Sequence, residues 1–316
     1  MTGAGQAEFP VDRLLAGHPR VLARAISVVE NDRDGAAAIM MAVRDHVGKA
    51  LVVGFTGPPG AGKSTLIDAV VTELRARDKT VCVLAVDPSS PISGGAVLGD
   101  RVRMMRHVED PGVFTRSVAA RGHLGGLSRA ATRIVDVMDA AGRDVIIIET
   151  VGTGQSEVEV AKVADIKVVV SAPGLGDDIQ AMKAGILEIA DILAVNKSDL
   201  PLARTTLRHL QSMLHLRKDG ARDVPLVATG ALNGTGITEL VDIILRLAGA
   251  IAPGSGRRQQ RRVGMADLLL EAAGHRLADF VARSPNPQLG ALCDDLASGA
   301  LELDEAVRRL LNIAAT

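Results

Sequence analysis

The chain of 316 residues has no tryptophan, no tyrosine and only four phenylalanines. Any sizeable core must therefore be aliphatic, and its Val, Ile, Leu and Ala runs suit a parallel sheet covered by helices on both faces. Cysteine is equally scarce. Cys82 and Cys293 fit neither a disulfide framework nor a set of metal ligands. Cys82 lies inside the apolar run Val81 to Val86 and reads as a small core residue. No charge of one sign is in surplus: 36 Lys and Arg against 37 Asp and Glu give a net charge of −1. That balance argues against a general binder of nucleic acid or membrane surfaces. The single basic cluster, Arg257, Arg258, Arg261 and Arg262, reads as a solvated linker, with a contact patch as the alternative. No apolar run reaches the roughly 18 residues a membrane span needs. The N-terminal residues lack a basic stretch followed by a long apolar one, so no secretory signal is visible. The expectation is a cytoplasmic protein with reduced thiols.

What the chain does have is length and alternation. It is long enough for about two domains, or for one large α/β domain with extensions. Leu14, Leu15, Val21, Leu22, Ile26 and Val29 recur at helical spacing, followed by a second helical stretch from Ala36 to Val47. Short β-branched runs then alternate with helical patterns. Strands are expected at Leu51–Phe55, Val81–Val86, Val145–Glu149, Ile166–Ser171, Ile192–Asn196 and Val224–Ala228, with helices such as Ser64–Arg77 and Gly126–Ala141 between them. Such spacing implies right-handed crossovers and a parallel sheet. The Gly, Ser and Arg stretch after Ala252 reads as a linker. Beyond it, Met265–Ala282 and Leu289–Ala314 read as amphipathic helices broken at Ser284–Pro287, too few to bury a core of their own. The expected organisation is a helical extension over 1–48, a nucleotide-binding domain over 49–250, and a linker with helical arm over 251–316.

The strongest chemical signal is Gly57-Pro58-Pro59-Gly60-Ala61-Gly62-Lys63-Ser64-Thr65, placed between an apolar strand and a helical pattern. Glycines let the backbone curl so that several N–H groups point at phosphate oxygens, and the helix dipole adds positive potential there. In such a P-loop Lys63 reaches the β- and γ-phosphates, and the Ser64 hydroxyl coordinates Mg²⁺.

The loop alone does not choose the base. Asn196-Lys197-Ser198-Asp199 follows directly on the strand at Ile192. A carboxylate at Asp199 can accept from the N1–H and the 2-amino group of guanine, a donor pair that adenine does not offer. The Lys197 stem can lie along the base. Gly230, Ala231 and Leu232, after a later strand, are placed to offer backbone N–H groups to guanine O6.

Two strand-tip acids fit the metal. Glu149 ends the run from Val145, with Gly152 three residues on to donate its N–H to a γ-phosphate. Asp87 ends the strand at Val81–Val86, and Asp100 is a loop acid nearby in sequence. The long stretch from Pro88 to Gly126, rich in Gly, Ser, Pro and Arg, reads as loops that tighten around a γ-phosphate. His107 and His123 are assigned no role.

Together these segments resemble the MeaB/ArgK GTPases, including the MMAA type, within the SIMIBI class of P-loop proteins and its G3E-like group. The matching strings are the P-loop, Val86-Asp-Pro-Ser-Ser-Pro91, Gly99-Asp-Arg101, Arg121-Gly-His-Leu-Gly-Gly126, Glu149-Thr-Val-Gly-Thr-Gly-Gln-Ser-Glu157, Pro173-Gly-Leu-Gly-Asp-Asp-Ile-Gln180 and Asn196-Lys-Ser-Asp199. Thr153 stands where the family's motif usually has valine. The resemblance implies a mostly parallel sheet flanked by helices, and a homodimer joined through C-terminal helices. It implies a GTP-hydrolysing chaperone that gates cofactor loading into methylmalonyl-CoA mutase, or a similar adenosylcobalamin-dependent mutase, and protects it. By the same match Lys63, Ser64, Asp87, Asp100 and Glu149 serve phosphate and magnesium, and Asp199 serves guanine. Gln155 lies three positions beyond Gly152, so the water-positioning group is not assigned.

Two other readings share the P-loop. A kinase passing phosphate to a transport protein needs an acceptor site, and no acceptor motif is evident. A metal-delivery GTPase calls for a His-rich tract or a Cys-containing metal site near the switches, and neither cysteine has a neighbouring ligand in sequence.

Overall fold

The computed structural model describes residues 9–87, 106–119, 126–150, 163–174, 189–215, 223–251 and 286–315, with parts of 266–283. The chain divides into two units, Met1–Gly264 and Met265–Thr316.

The first unit opens with helices α1 (Val11–Leu15), α2 (Pro19–Glu30) and α3 (Ala36–Val43). Strand β1 (Leu51–Thr56) leads into α4 (Lys63–Ala76), and β2 (Val81–Asp87), β3 (Val113–Ala119) and α5 (Gly126–Ala140) follow. Then come β4 (Val145–Thr150), β5 (Ile166–Ser171), β6 (Ile192–Val195), α6 (Ala203–His215), β7 (Leu226–Ala228) and α7 (Ile237–Ala250). The strands form one sheet in the order β3-β2-β4-β1-β5-β6-β7. Every pairing in it is parallel. The chain order reverses beside β1, and it is at such a switch point, beyond the carboxyl ends of the strands, that open α/β sheets bind ligands.

Alternation along the strands sorts the core into two layers. Leu51, Val53 and Phe55 of β1 pack with Leu66, Ile67, Val70 and Val71 of α4 and with Leu240, Val241 and Ile244 of α7. On the other face Val52, Cys82, Leu84, Ile146 and Ile148 meet Ile134 and Met138 of α5 and the N-terminal helices. α2 buries Val21, Leu22, Ala25, Ile26 and Val29 at helical spacing, with Pro19 in its first turn, where a missing N–H costs nothing. Helices α1 to α3 therefore share the core of the sheet. Each fully buried Leu or Ile in these layers contributes about 1.5–3 kcal/mol.

One expectation needs correction. The stretch from Pro88 to Gly126 is not loop throughout, because Val113–Ala119 forms the edge strand β3, in register with β2 from Val81↔Val113 to Asp87↔Ala119. Its first five residues are only partly buried, so its pattern is too polar to announce a strand. The strand ends also move: β6 stops at Val195 and β7 begins at Leu226.

In the second unit the expected helix over Leu289–Ala314 is two helices, α8 (Pro287–Ala297) and α9 (Leu303–Ala315). Gly299, with φ of 74°, ends the first in the left-handed conformation that glycine adopts without strain. Leu289, Leu292 and Ala306 are buried, while Leu303, Val307 and Leu311 are exposed. Among the described residues no helix is long and apolar enough to cross a membrane.

Candidate functional site

The site is built on the end of β1, whose six residues are all buried. Gly57 leaves the strand with φ of 142°, and a Cβ there would meet the Val170 carbonyl oxygen of β5 at 2.0 Å. Only glycine can turn the chain at this point. Gly62 caps α4 with φ of 83°, and the chain curls so that the helix N-terminus faces the loop. Amide donors and the helix dipole at such an end favour an anion.

Lys63, the first helical residue, is buried, and its Nζ donates to the carbonyl oxygens of Gly57 at 2.6 Å and Pro58 at 3.0 Å. The ammonium is thus held over the mouth of the loop. Ser64 is next along the helix, and its Oγ donates to Oε1 of Glu149 at 2.6 Å, with both side chains buried. Glu149 reaches this place because β4 lies beside β1, with Phe55 level with Glu149. Thr150 tightens the same two strand ends, donating to Thr56 Oγ1 at 3.2 Å and to the Phe55 carbonyl at 3.3 Å.

Asn196 joins three loops. Its Nδ2 donates to the carbonyls of Ala61 at 3.0 Å and Gly62 at 3.3 Å, while its Oδ1 accepts from the Ala231 amide at 3.2 Å and the Thr229 hydroxyl at 3.4 Å. Lys197 takes a left-handed φ of 55° and donates from Nζ to the Gly60 carbonyl at 2.7 Å. Beside them opens a cleft of about 240 Å³ lined by Gly62, Thr65, Asn196, Asp199, Ala231 and Leu232 among others. Asp199 is exposed at its rim. The amides after β7 are arranged differently from the sequence expectation. Gly230 N–H donates to Thr235 O at 2.9 Å within a turn, and Ala231 N–H is taken by Asn196.

Of the other expected residues, Asp87 ends β2 level with Ala119. Asp100 and Gly152 lie outside the described residues, as do His123, the arginines at 257–262 and most of the strings at 88–101, 151–157 and 173–180. Among the described residues no group of three or more His, Cys, Asp and Glu is gathered as a metal site.

Sequence reasoning missed a buried carboxylate on α4. Asp68, one turn beyond Thr65, is buried to 8% exposure. His107 Nε2 stands 3.4 Å from Asp68 Oδ1 and 3.4 Å from Thr72 Oγ1. The spacing of Thr65, Asp68 and Thr72 along one helix face was the available signal.

The family model described as methylmalonyl Co-A mutase-associated GTPase MeaB matches residues 22–286. The chain belongs to the MeaB family. GTPase ArgK of Escherichia coli is 40% identical over 261 residues, covering 80% of this chain and 78% of its own. The mouse mitochondrial methylmalonic aciduria type A homolog is 34% identical over 290 residues, covering 83% of this chain and 69% of its own. The solved structure of an LAO/AO transport system kinase superposes with a TM-score of 0.75 at 26% identity, covering all of both chains. This member of the family is a P-loop GTPase that binds guanine nucleotide.

Proposed function

We propose that this GTPase is a chaperone of an adenosylcobalamin-dependent mutase, methylmalonyl-CoA mutase or one like it, gating cofactor loading and protecting the loaded enzyme. The mutase association in the family's description supports the partner. The observation that carries the timing is the 2.6 Å contact between Ser64 and Glu149. It joins the start of α4, beside the phosphate loop, to the carboxylate at the end of β4, so a change at the γ-phosphate is felt at both ends of that contact.

In this reading the loop from Gly57 to Thr65 wraps the phosphates, with Lys63 on the β- and γ-phosphates. The hydroxyl and carboxylate oxygens of Ser64 and Glu149, side by side and buried, are the donor type Mg²⁺ takes, with waters and phosphate oxygens completing its shell. Asp87 and Asp100 would serve the same ion, and Gly152 the γ-phosphate. When bound, the ion would supply charge neutralisation at the phosphates. Asp199 accepts from guanine N1–H and the 2-amino group, and the Lys197 stem lies along the base. Of the three amides at 230–232, Leu232 is the one left to meet O6. Lys63 and the loop amides stabilise charge on the phosphates as the bond to the γ-phosphoryl breaks.

The exposed residues Leu303, Val307 and Leu311, four apart on α9, support a homodimer formed through the C-terminal helices. We place the protein in the cytoplasm.

The test is hydrolysis of GTP with and without candidate mutases. Acceleration of about tenfold or more on mixing is the expected result. An unchanged rate with every adenosylcobalamin-dependent mutase tried removes the chaperone role. Labelled γ-phosphate retained on a protein acceptor would instead favour phosphoryl transfer, as the solved relative's name has it.

A further inference from the structure

A second cleft, of about 410 Å³, opens along α4 immediately beside the base cleft. The two share Thr65, Ala231 and Leu232 as lining, so they are adjoining rooms of one cavity system. Thr65 follows the two residues that face the phosphates, and the helix carries Asp68 and Thr72 onward from it along the same face. A nucleotide with its phosphates on the loop and its base against Asp199 has its ribose between them, close to Thr65. That sugar then lies where the two clefts adjoin, at Thr65.

The cleft holds one feature that calls for a donor. Asp68 is 8% exposed and lines it, yet its Oδ1 is buried and accepts no hydrogen bond. His107 Nε2 stands 3.4 Å from that oxygen and Arg106 Nη1 3.9 Å from the other. A buried carboxylate oxygen without a hydrogen bond is costly, and a small turn of the carboxylate that presents it to a ligand donor relieves that cost. Glu73 and Asp68 together make the cleft unsuited to a further phosphate, and Arg106 is largely exposed. The requirement is for a hydrogen-bond donor that is not an anion.

We propose that the cleft lined by Asp68 and Thr72 takes the ribose of the bound guanosine nucleotide, the Asp68 carboxylate accepting a hydrogen bond from the 2′- or the 3′-hydroxyl, so that binding depends on that hydroxyl. Carboxylates read ribose hydroxyls in this manner at the mouths of other parallel sheets. His107 and Thr72 position the carboxylate. The assignment rests on the reading that the guanine occupies the cleft beside Asp199.

The experiment is displacement of labelled GDP from the full chain by GDP, 2′-deoxy-GDP, 3′-deoxy-GDP and ADP, for the wild type, Asp68→Ala and the near-isosteric Asp68→Asn. The wild type is expected to bind one of the deoxy forms about ten- to a hundredfold more weakly than GDP. Asp68→Ala loses that preference and Asp68→Asn reduces it, while both keep GDP over ADP. Equal binding of GDP and both deoxy forms by the wild type overturns the proposal, as does a preference that survives in Asp68→Ala. Either result with GDP still favoured over ADP leaves the guanine reading standing. Loss of the GDP preference in the wild type would remove that reading as well. Should Asp68→Ala fail to fold, the wild-type comparison and Asp68→Asn decide.

Discussion

Asn196 and Ala61, 135 positions apart, are joined by a 3.0 Å hydrogen bond from the Asn196 amide to the Ala61 carbonyl. The same side chain accepts from Ala231 on its other end, so the base-side loops and the phosphate loop are held as one body. Asn196→Ala is expected to cost about 3 kcal/mol of folding stability, because it leaves several buried groups unpaired. It should also weaken GDP binding about tenfold or more. Denaturant melts and calorimetric titration of GDP check the two effects separately.

Gly57→Ala tests the turn out of β1. The added methyl would meet the Val170 carbonyl oxygen at 2.0 Å, and the backbone sits at a φ that alanine avoids. The oxygen belongs to a central strand and cannot step aside. A loss of about 3 kcal/mol or more in denaturant unfolding is expected, together with loss of nucleotide binding.

Acid should loosen the approach to β3. The Arg75 guanidinium donates to Asp110 at 2.8 and 3.1 Å, and the Gly112 amide donates to it at 2.7 Å. These contacts hold the Asp110 carboxyl below its ordinary value of 3.8. A carboxyl lowered in the folded state stabilises the fold fully above the unfolded value, and that contribution fades as pH falls through the folded one. Asp110→Asn is therefore expected to be less stable than wild type at neutral pH. The difference between the two should shrink as the pH drops below about 4. Thermal melts of both proteins across pH 2 to 7 read this directly. A constant difference throughout would contradict the assignment.

The proposed dimer makes its own prediction. Val307→Asp and Leu311→Asp place charges on an exposed apolar stripe of α9 and remove little from the buried set of that helix. Sedimentation should show the wild type as a dimer and the double variant as a monomer with unchanged helix content by circular dichroism.

Six of the seven strands among the described residues were legible, because strands buried on both faces read as unbroken apolar runs such as Val145 to Ile148. β3 was not, since its Thr115, Arg116 and Ser117 look like loop until the fold shows why they are there. Arg116 reaches back to Ser27 at 3.0 Å and Glu30 at 3.3 Å on α2, a pairing across 86 positions or more that no local pattern announces. The division of α8 from α9 was written in Ser298-Gly299, and the amphipathic period on either side masked it. The P-loop and the Asn196-Lys197-Ser198-Asp199 string were plain because their spacing is dictated by phosphate and purine chemistry. The bridging of those two motifs by Asn196, and the carboxylate at Asp68, depend on which helix face meets which loop. Those are consequences of packing, and they came only with the fold.

The most direct test of the account is purine choice at Asp199. Competition of GDP against ADP for the wild type and for Asp199→Ala, measured by displacement of a labelled nucleotide, isolates the base contact from the phosphate loop. The prediction is that the wild type prefers GDP by about a hundredfold or more, and that the variant loses most of this while still holding nucleotide through Lys63 and the loop. An undiminished preference for GDP in Asp199→Ala would contradict it.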